Sequence, residues 1–352
     1  MSGADLRLPW LRFKDEAVAC PACGSPRIEL LDVFPIPRDT HAHWVAFATG
    51  CHGCGLLFAN PLPAQGQMQR YYSGDGPWAA SQTERIRQVE AGYARQLRGN
   101  TRPPRPAGPP RSSELLLRAL APYLPVDEPR PGMKVLDFGC GDGKFLDRLQ
   151  SRGWETYGME PSISTAFVRH RRLTTPPRDG SFDFIILHHV LEHVTNPLGL
   201  LQQLADAARD GGILFVSVPR LDTLPQHRDF RYCLNGRGHV VCFSESCLTG
   251  LLARAGFETV ARLDAKELDE AVTEGKPLRL RLVAARTAMP PPPPGGPLAP
   301  GVSALRDFAR GHGPAPFPKV VRKLLRKRLP VRVRAALMYR AHMRSRRRHA
   351  KG

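Results

Sequence analysis

The 352-residue sequence predicts an α/β protein, a doubly wound and mostly parallel sheet of the seven-stranded kind, preceded by a small cysteine module. Three observations carry that expectation. Short apolar runs at Lys134–Phe138, Trp154–Met159, Phe182–Leu187 and Ile213–Val218 alternate with helical stretches, the pattern of a parallel sheet covered on both faces. A glycine-rich turn, Gly139–Gly143, falls between the first run and a helix. Two CxxC pairs, Cys20/Cys23 and Cys51/Cys54, stand apart near the N-terminus.

Composition bounds the remaining choices. Hydrophobic residues make up 42% and charged residues 24%, enough for a sizeable core. No apolar run approaches the roughly 20 residues of a membrane span. The opening residues lack the apolar stretch of a secretion signal, so a cytoplasmic location is expected. The net charge of +19 is concentrated at one end. Residues 319–352 hold 14 Lys/Arg and no acid, which leaves a net of +5 on everything before them. The body is nearly balanced.

The chain divides as follows. Residues 1–75 form the cysteine module. Residues 76–131 are a helical and proline-rich connector, with helix candidates at Ser81–Leu97 and Ser113–Leu124 around the proline-rich stretch 101–111. Residues 132–288 hold the sheet. Its last two strand candidates, Phe257–Leu263 and Leu278–Ala285, read as a hairpin closing one edge. Residues 289–318 are a proline-rich spacer. Residues 319–352 are a basic tail.

In the cysteine module, two residues between thiolates let each pair grip one side of a tetrahedral Zn²⁺. Gly24 and Gly55 follow the pairs at once and suit tight turns that aim backbone N–H groups at sulfur. The 27 residues between the pairs leave room for a hairpin, giving a zinc-ribbon-like module. Disulfides are the competing use of these residues, and they require an oxidising compartment. His41, His43 and His52 are alternative ligands, but four thiolates already fill a tetrahedron. A closed set holds structure and leaves no open position for chemistry.

The glycine turn is a cofactor loop. Gly139, Gly141 and Gly143 permit a sharp turn and close approach of a ligand to bare backbone at a helix N-terminus. A dinucleotide fingerprint places glycine where Lys144 stands, which argues against NAD or FAD. Asp137 lies two residues before the first glycine, and Glu160 ends the next strand, where a carboxylate accepts from ribose hydroxyls.

At these residues the chain resembles the class I S-adenosylmethionine (SAM)-dependent methyltransferases, whose fold is Rossmann-like. VLDFGCGDG resembles the family's first SAM motif and YGMEPS its second. The stretch from Ser181 through HHVLEH resembles the fourth strand and following loop of the subgroup marked by VLEHV. GGILFVSVP is similar to the fifth-strand motif, and Gly238–Ser244 with Leu248–Phe257 to a later signature of that subgroup. The cysteine module, running on to Tyr71 and Tyr72, resembles the zinc-binding region of some bacterial methyltransferases of sugar and polysaccharide biosynthesis. The resemblance implies SAM held by Asp137, Phe138, Gly139, Cys140, Gly141, Gly143, Glu160, Leu187 and His188. It departs from the family between Glu160 and Asp183. Ser162–Arg171 supplies a helix there, and the third strand is expected to be short or missing.

Methyl transfer to a hydroxyl or carbon acid needs a base, and an imidazole titrates near neutrality. His188, His189 and His193 lie just past the fourth strand, with His239 further along. His188, His189 and His239 are the catalytic candidates, set against plain structural roles. The expected acceptor is a small molecule, a sugar or another hydroxylated biosynthetic intermediate. Two other readings stand beside this one. The first is an RNA or DNA methyltransferase, disfavoured because the HHVL loop lacks the proline–aromatic sequence that stacks a flipped base. The second is a worn, non-catalytic copy serving as an interaction protein. In the tail, Val320, Val321, Leu324, Leu325 and Leu329 share one helical face among Arg and Lys. That segment suits an anionic membrane surface, nucleic acid or plain solvent.

Overall fold

The computed structural model describes residues 19–35, 45–60, 62–63, 65–73, 76, 112–162, 169–221, 233–234, 238–263 and 279–287. The expected helix at 81–97, the 101–111 stretch, positions 163–168 of the Ser162–Arg171 helix, the spacer and the basic tail lie outside them. Among the described residues no helix is long and apolar enough to cross a membrane.

Eleven strands fall into two sheets among the described residues. The larger comprises β4 (Lys134–Phe138), β5 (Glu155–Met159), β6 (Arg171–Arg172), β7 (Phe182–His188), β8 (Ala208–Pro219), β10 (Phe257–Arg262) and β11 (Arg279–Arg286). Their order is β10-β11-β8-β7-β4-β5-β6. Strands β4 to β8 pair in parallel, and β11 runs antiparallel between β8 and β10. The order reverses at β4, with β5 on one side and β7 on the other. In open α/β sheets ligands bind at such a switch point, outside the carboxyl ends of the strands.

The third parallel strand, β6, is present but only two residues long. Arg171 belongs to it and not to the preceding helix, so the expected helix bound at Arg171 is corrected. Side chains replace the missing ladder. Asp147 takes Arg169 Nε at 2.5 Å and lies 3.0 Å from His170 Nε2, while Thr156 Oγ1 on β5 lies 2.9 Å from His170 Nδ1. The chain is thereby pinned to the next helix and strand despite the short pairing.

Both faces of the sheet are covered. On one side, α2 (Ser112–Leu120) and α3 (Lys144–Gln150) bury Leu116, Leu117, Leu120, Leu146 and Leu149 against Val135, Phe184, Ile186 and Phe215. Helix α2 stops short of the expected Leu124 because Pro122 and Pro125 cannot continue it. On the other side, α4 (Pro197–Ala207) and α5 (Glu245–Ala255) cover Leu136, Ile185, Leu187 and Val216. Asn196 caps α4 by accepting from Gly199 N at 3.0 Å, with Pro197 at its first position. Ser244 caps α5 by accepting from Cys247 N at 3.2 Å.

The smaller sheet has the order β1-β2-β3-β9 and is antiparallel. A hairpin of β1 (Ile28–Pro35) and β2 (Val45–Cys51) fills the gap between the cysteine pairs, followed by β3 (Leu57–Asn60) and α1 (Gln65–Tyr72). Its last strand, β9 (Val241–Cys242), comes from far along the chain and pairs Leu57 with Cys242 and Phe58 with Val241. Cys54, Leu56, Phe58 and Met68 pack in one core with Val240, Val241, Phe243, Leu248 and Leu251. The cysteine module and the α/β sheet share that core.

Candidate functional site

The glycine turn is built where β4 ends. Gly139, Gly141 and Gly143 have φ of +84°, +53° and +76°, a region side chains resist. Gly139 N and Cys140 N both donate to Met159 O at the end of β5, at 2.7 and 3.0 Å. Gly143 N donates to Cys140 O at 2.9 Å, and α3 begins at the next residue. A Cβ at Gly139 would drive into a methyl of Val190, so the loop after β7 closes directly on this turn. A Cβ at Gly141 would meet nothing within 4 Å. That open space beside bare backbone is the room a ligand needs.

Glu160 faces it. Its Oε2 accepts from Gly141 N at 3.1 Å, while Oε1 accepts from Ser162 N at 3.0 Å and Ser162 Oγ at 2.7 Å. Phe138 is half-buried at the strand end. Cys140 is buried, and that burial raises its thiol pKa, which suits a small packed residue better than a reactive one. The side chain of Leu187 is fully buried in the core.

Asp137 is only 4% exposed, and burial, helped by the charge of Glu160, raises its pKa from 3.8 to about 7. The folded chain then holds this proton more tightly than the unfolded one. Its stabilising contribution is complete below about pH 4 and is lost as the pH rises through about 7, a change of about 4 kcal/mol. In cofactor-free protein, Asp137→Asn is expected to gain stability relative to the parent as pH rises from ~5 to ~8. Melting curves of the two chains across that range check it; a constant gap between them would contradict the assignment.

The candidate histidines separate into two groups. The imidazole of His188 is exposed at the carboxyl end of β7. Although water reaches it, the protein around it lowers its pKa well below 6.5, with His189, Arg279 and Arg281 adding to the effect. It is neutral at pH 7. His189 turns inward and is the one described non-glycine residue with a left-handed backbone, φ +58°. Its N–H donates to Ser217 O at 2.9 Å, and its Nδ1 lies 3.0 Å from Glu192 Oε1. Burial, with Arg279 and Arg281, lowers its pKa to about 3.

His239 joins a cluster with Glu192 and His193, each offering a ligand atom within 4.8 Å of the others. The rings of His193 and His239 meet edge to face at 4.8 Å. Burial lowers the His193 pKa to about 4. Tyr72, from α1 of the cysteine module, places its hydroxyl 2.7 Å from His193 Nδ1. Gly238 leaves the space for this contact, since a Cβ there would sit 3.2 Å from the Tyr72 hydroxyl. The charges of Glu192 and Glu160 both raise the Tyr72 pKa, after burial and Tyr71, so the cluster lies near the Glu160 side of the glycine turn. Sequence reasoning did not select Glu192 or Tyr72 for this site. The signal for Glu192 was a lone carboxylate inside the apolar run Val190–Val194.

The four cysteines come together, their ligand atoms all within 4.8 Å. Sulfur separations of 3.6 Å for Cys20–Cys54 and 3.5 Å for Cys23–Cys51 are far beyond a disulfide bond. Hydrogen bonds among them dominate their titration, lowering the pKa of Cys23 and Cys51 and raising that of Cys20 and Cys54. The turns closed by the following glycines aim backbone N–H groups at sulfur, as expected. Gly24 N and Gly55 N donate to the carbonyls of Cys20 and Cys51, at 2.8 and 2.9 Å. The N–H of Gly53 meets Cys51 Sγ at 3.2 Å, and the backbone N–H groups of Cys23, Ser25 and Cys54 also reach sulfur. Left-handed backbone at Gly24 (φ +72°) and Gly55 (φ +75°) closes each knuckle.

Residues 109–262 match a family model described as a methyltransferase domain. The ubiquinone biosynthesis O-methyltransferase of Xanthomonas campestris pv. campestris is 28% identical over 121 residues, covering 29% of this chain and 51% of that protein. The tRNA U34 carboxymethyltransferase of Campylobacter curvus is 29% identical over 119 residues, covering 29% of this chain and 39% of that protein. The chain spans about half or less of the length of these relatives. Among solved structures, the 1,6-didemethyltoxoflavin-N1-methyltransferase of Burkholderia thailandensis, with bound 1,6-didemethyltoxoflavin and S-adenosylhomocysteine, is 16% identical. That likeness has a TM-score of 0.43 and covers 66% of this chain and 96% of that one.

Proposed function

We propose that this chain, with its class I SAM-dependent methyltransferase domain, methylates a hydroxyl of a small biosynthetic intermediate of the sugar type. One observation carries the reading: the open glycine turn and the Glu160 carboxylate face each other at the reversal of strand order. SAM fits this cradle and supplies, when bound, a methyl group on a positively charged sulfur. Glu160 would exchange the N–H of Gly141 for the ribose hydroxyls. Backbone from Phe138 to Gly143 would lie along the ligand, with Asp137 supporting the turn from beneath.

His188 is the proposed base. Its ring is neutral and reachable from solvent at the end of β7, and one nitrogen is free to accept a proton once an acceptor hydroxyl docks. His189 is committed to Glu192 and serves as a positioning residue. His239 belongs with His193. Support for an oxygen acceptor comes from the relative named as an O-methyltransferase, and for a sugar from the resemblance of the cysteine module. That module, residues 1–75, is proposed to hold one structural Zn²⁺ on Cys20, Cys23, Cys51 and Cys54. The sheet domain is taken as 132–288 and the remaining segments as divided above.

The test is calorimetric titration of SAM into the purified full chain, followed by incubation with methyl-labelled SAM and a panel of nucleotide sugars read by mass spectrometry. Binding in the micromolar range and label on a sugar oxygen are expected. No heat of binding would remove the reading; label on RNA instead of a sugar would replace the acceptor.

A further inference from the structure

We infer that Glu192, His193 and His239 form a second metal site, for a divalent first-row transition ion, separate from the four cysteines. Two imidazoles and one carboxylate with their ligand atoms within 4.8 Å make a three-ligand set that leaves coordination positions open. The cysteine set is closed; this one is not.

The surroundings fit ligation. The Glu192 side chain is completely buried, and among the described residues its Oε2 has no hydrogen-bond partner. Burying a carboxylate oxygen without a partner is costly, and a cation at the cluster would remove that cost. The other oxygen, Oε1, receives His189 Nδ1 at 3.0 Å and lies 3.9 Å from His193 Nε2. His193 Nδ1 is engaged by the Tyr72 hydroxyl at 2.7 Å, which leaves Nε2 as the nitrogen on the Glu192 side. Ligating histidines commonly have their second nitrogen tied up in this way, and ligating carboxylates carry a further hydrogen bond. Tyr72 and His189 supply those two supports. The left-handed backbone at His189 is what turns its ring inward to Glu192. Such strain persists where the surroundings enforce it, and it gathers at functional sites.

The site adjoins the cofactor loop, since Val190, two residues before Glu192, packs on Gly139. An ion there would bind an acceptor hydroxyl and increase its acidity, so a weak base such as His188 suffices to take the proton. That catalytic role rests on the methyl-transfer reading. The metal content does not.

The full chain is stripped with a chelator, titrated with Co²⁺ and read by absorbance, with zinc per chain measured in parallel after Zn²⁺ loading. Two ions per chain are expected. One should give the intense sulfur-to-cobalt charge-transfer band of a thiolate site, the other only the weaker bands of nitrogen and oxygen ligation. Glu192→Gln and His239→Ala should each lose the second ion and keep the thiolate band, which shows that the chain is folded. Tyr72→Phe should weaken the second ion by about 10-fold. A parent chain with thiolate-type cobalt alone, or variants that retain both ions, would overturn the assignment. SAM titration of the same samples reads the other proposal separately, because failure to bind SAM leaves the metal count untouched.

Discussion

A Cys54→Ser chain, or the parent treated with a chelator, is expected to lose the order of residues 19–35, 45–60 and 65–72 and with it the contact between Tyr72 and His193. The four cysteine sulfurs face one another within the core that the module shares with the sheet, and structural zinc contributes on the order of 10 kcal/mol to modules of this kind. Cys54 is fully buried in the core shared by β3, β9 and α5. Its knuckle sits three residues before β3, which pairs with β9, and β9 lies two residues past His239. Hydrogen-exchange mass spectrometry should show protection of 45–60 collapsing on chelation and returning with zinc. Protection of 241–242 should fall with it, while β4, β7 and β8 hold. Unchanged exchange across 45–60 after complete metal removal would show that the cysteines pack without needing an ion.

Glu160→Ala should weaken SAM binding by about 100-fold while leaving the melting temperature close to that of the parent. Each hydrogen bond from a ribose hydroxyl to an ionised carboxylate is worth about 1.5 kcal/mol or more, so losing two costs ~3 kcal/mol. The fold is spared because the carboxylate is only half-buried and its present donors, Gly141 N and the Ser162 groups, lie where water can replace it. Glu160→Gln, which keeps one acceptor oxygen, should fall between the two. Calorimetry on the three chains decides the matter, and equal affinity in all three would move the cofactor away from this loop.

The sheet was legible where one stretch of sequence decides its own conformation. Lys134–Phe138 is a strand with the expected bounds, and the hairpin of β10 and β11 stands at the sheet edge. Bounds failed where tertiary pairing extends an element. Strand β8 begins at Ala208, not Ile213, because its first residue pairs with Phe182 across an irregular stretch that holds two glycines. Strand β9 was invisible: two residues have no periodicity, and only the partner β3 makes them a strand. The site behaved similarly. The glycine turn and Glu160 are a local pattern and could be named from spacing. Glu192 reads in sequence only as a lone carboxylate in the run Val190–Val194, and only the fold shows it buried among three imidazoles. Tyr72 reaches His193 across 121 positions, a pairing no local signal encodes.

The pairing of Phe58 with Val241 bears on how the chain is made. A ribosome finishes the cysteine knuckles early, yet the strand that completes their sheet emerges only after all five parallel strands, β4 to β8, have been synthesised. Closing so long a loop is entropically costly and slow. During synthesis the N-terminal piece must therefore wait with an open edge. That interval is when a nascent chain of this design is most exposed to mispairing with a neighbour.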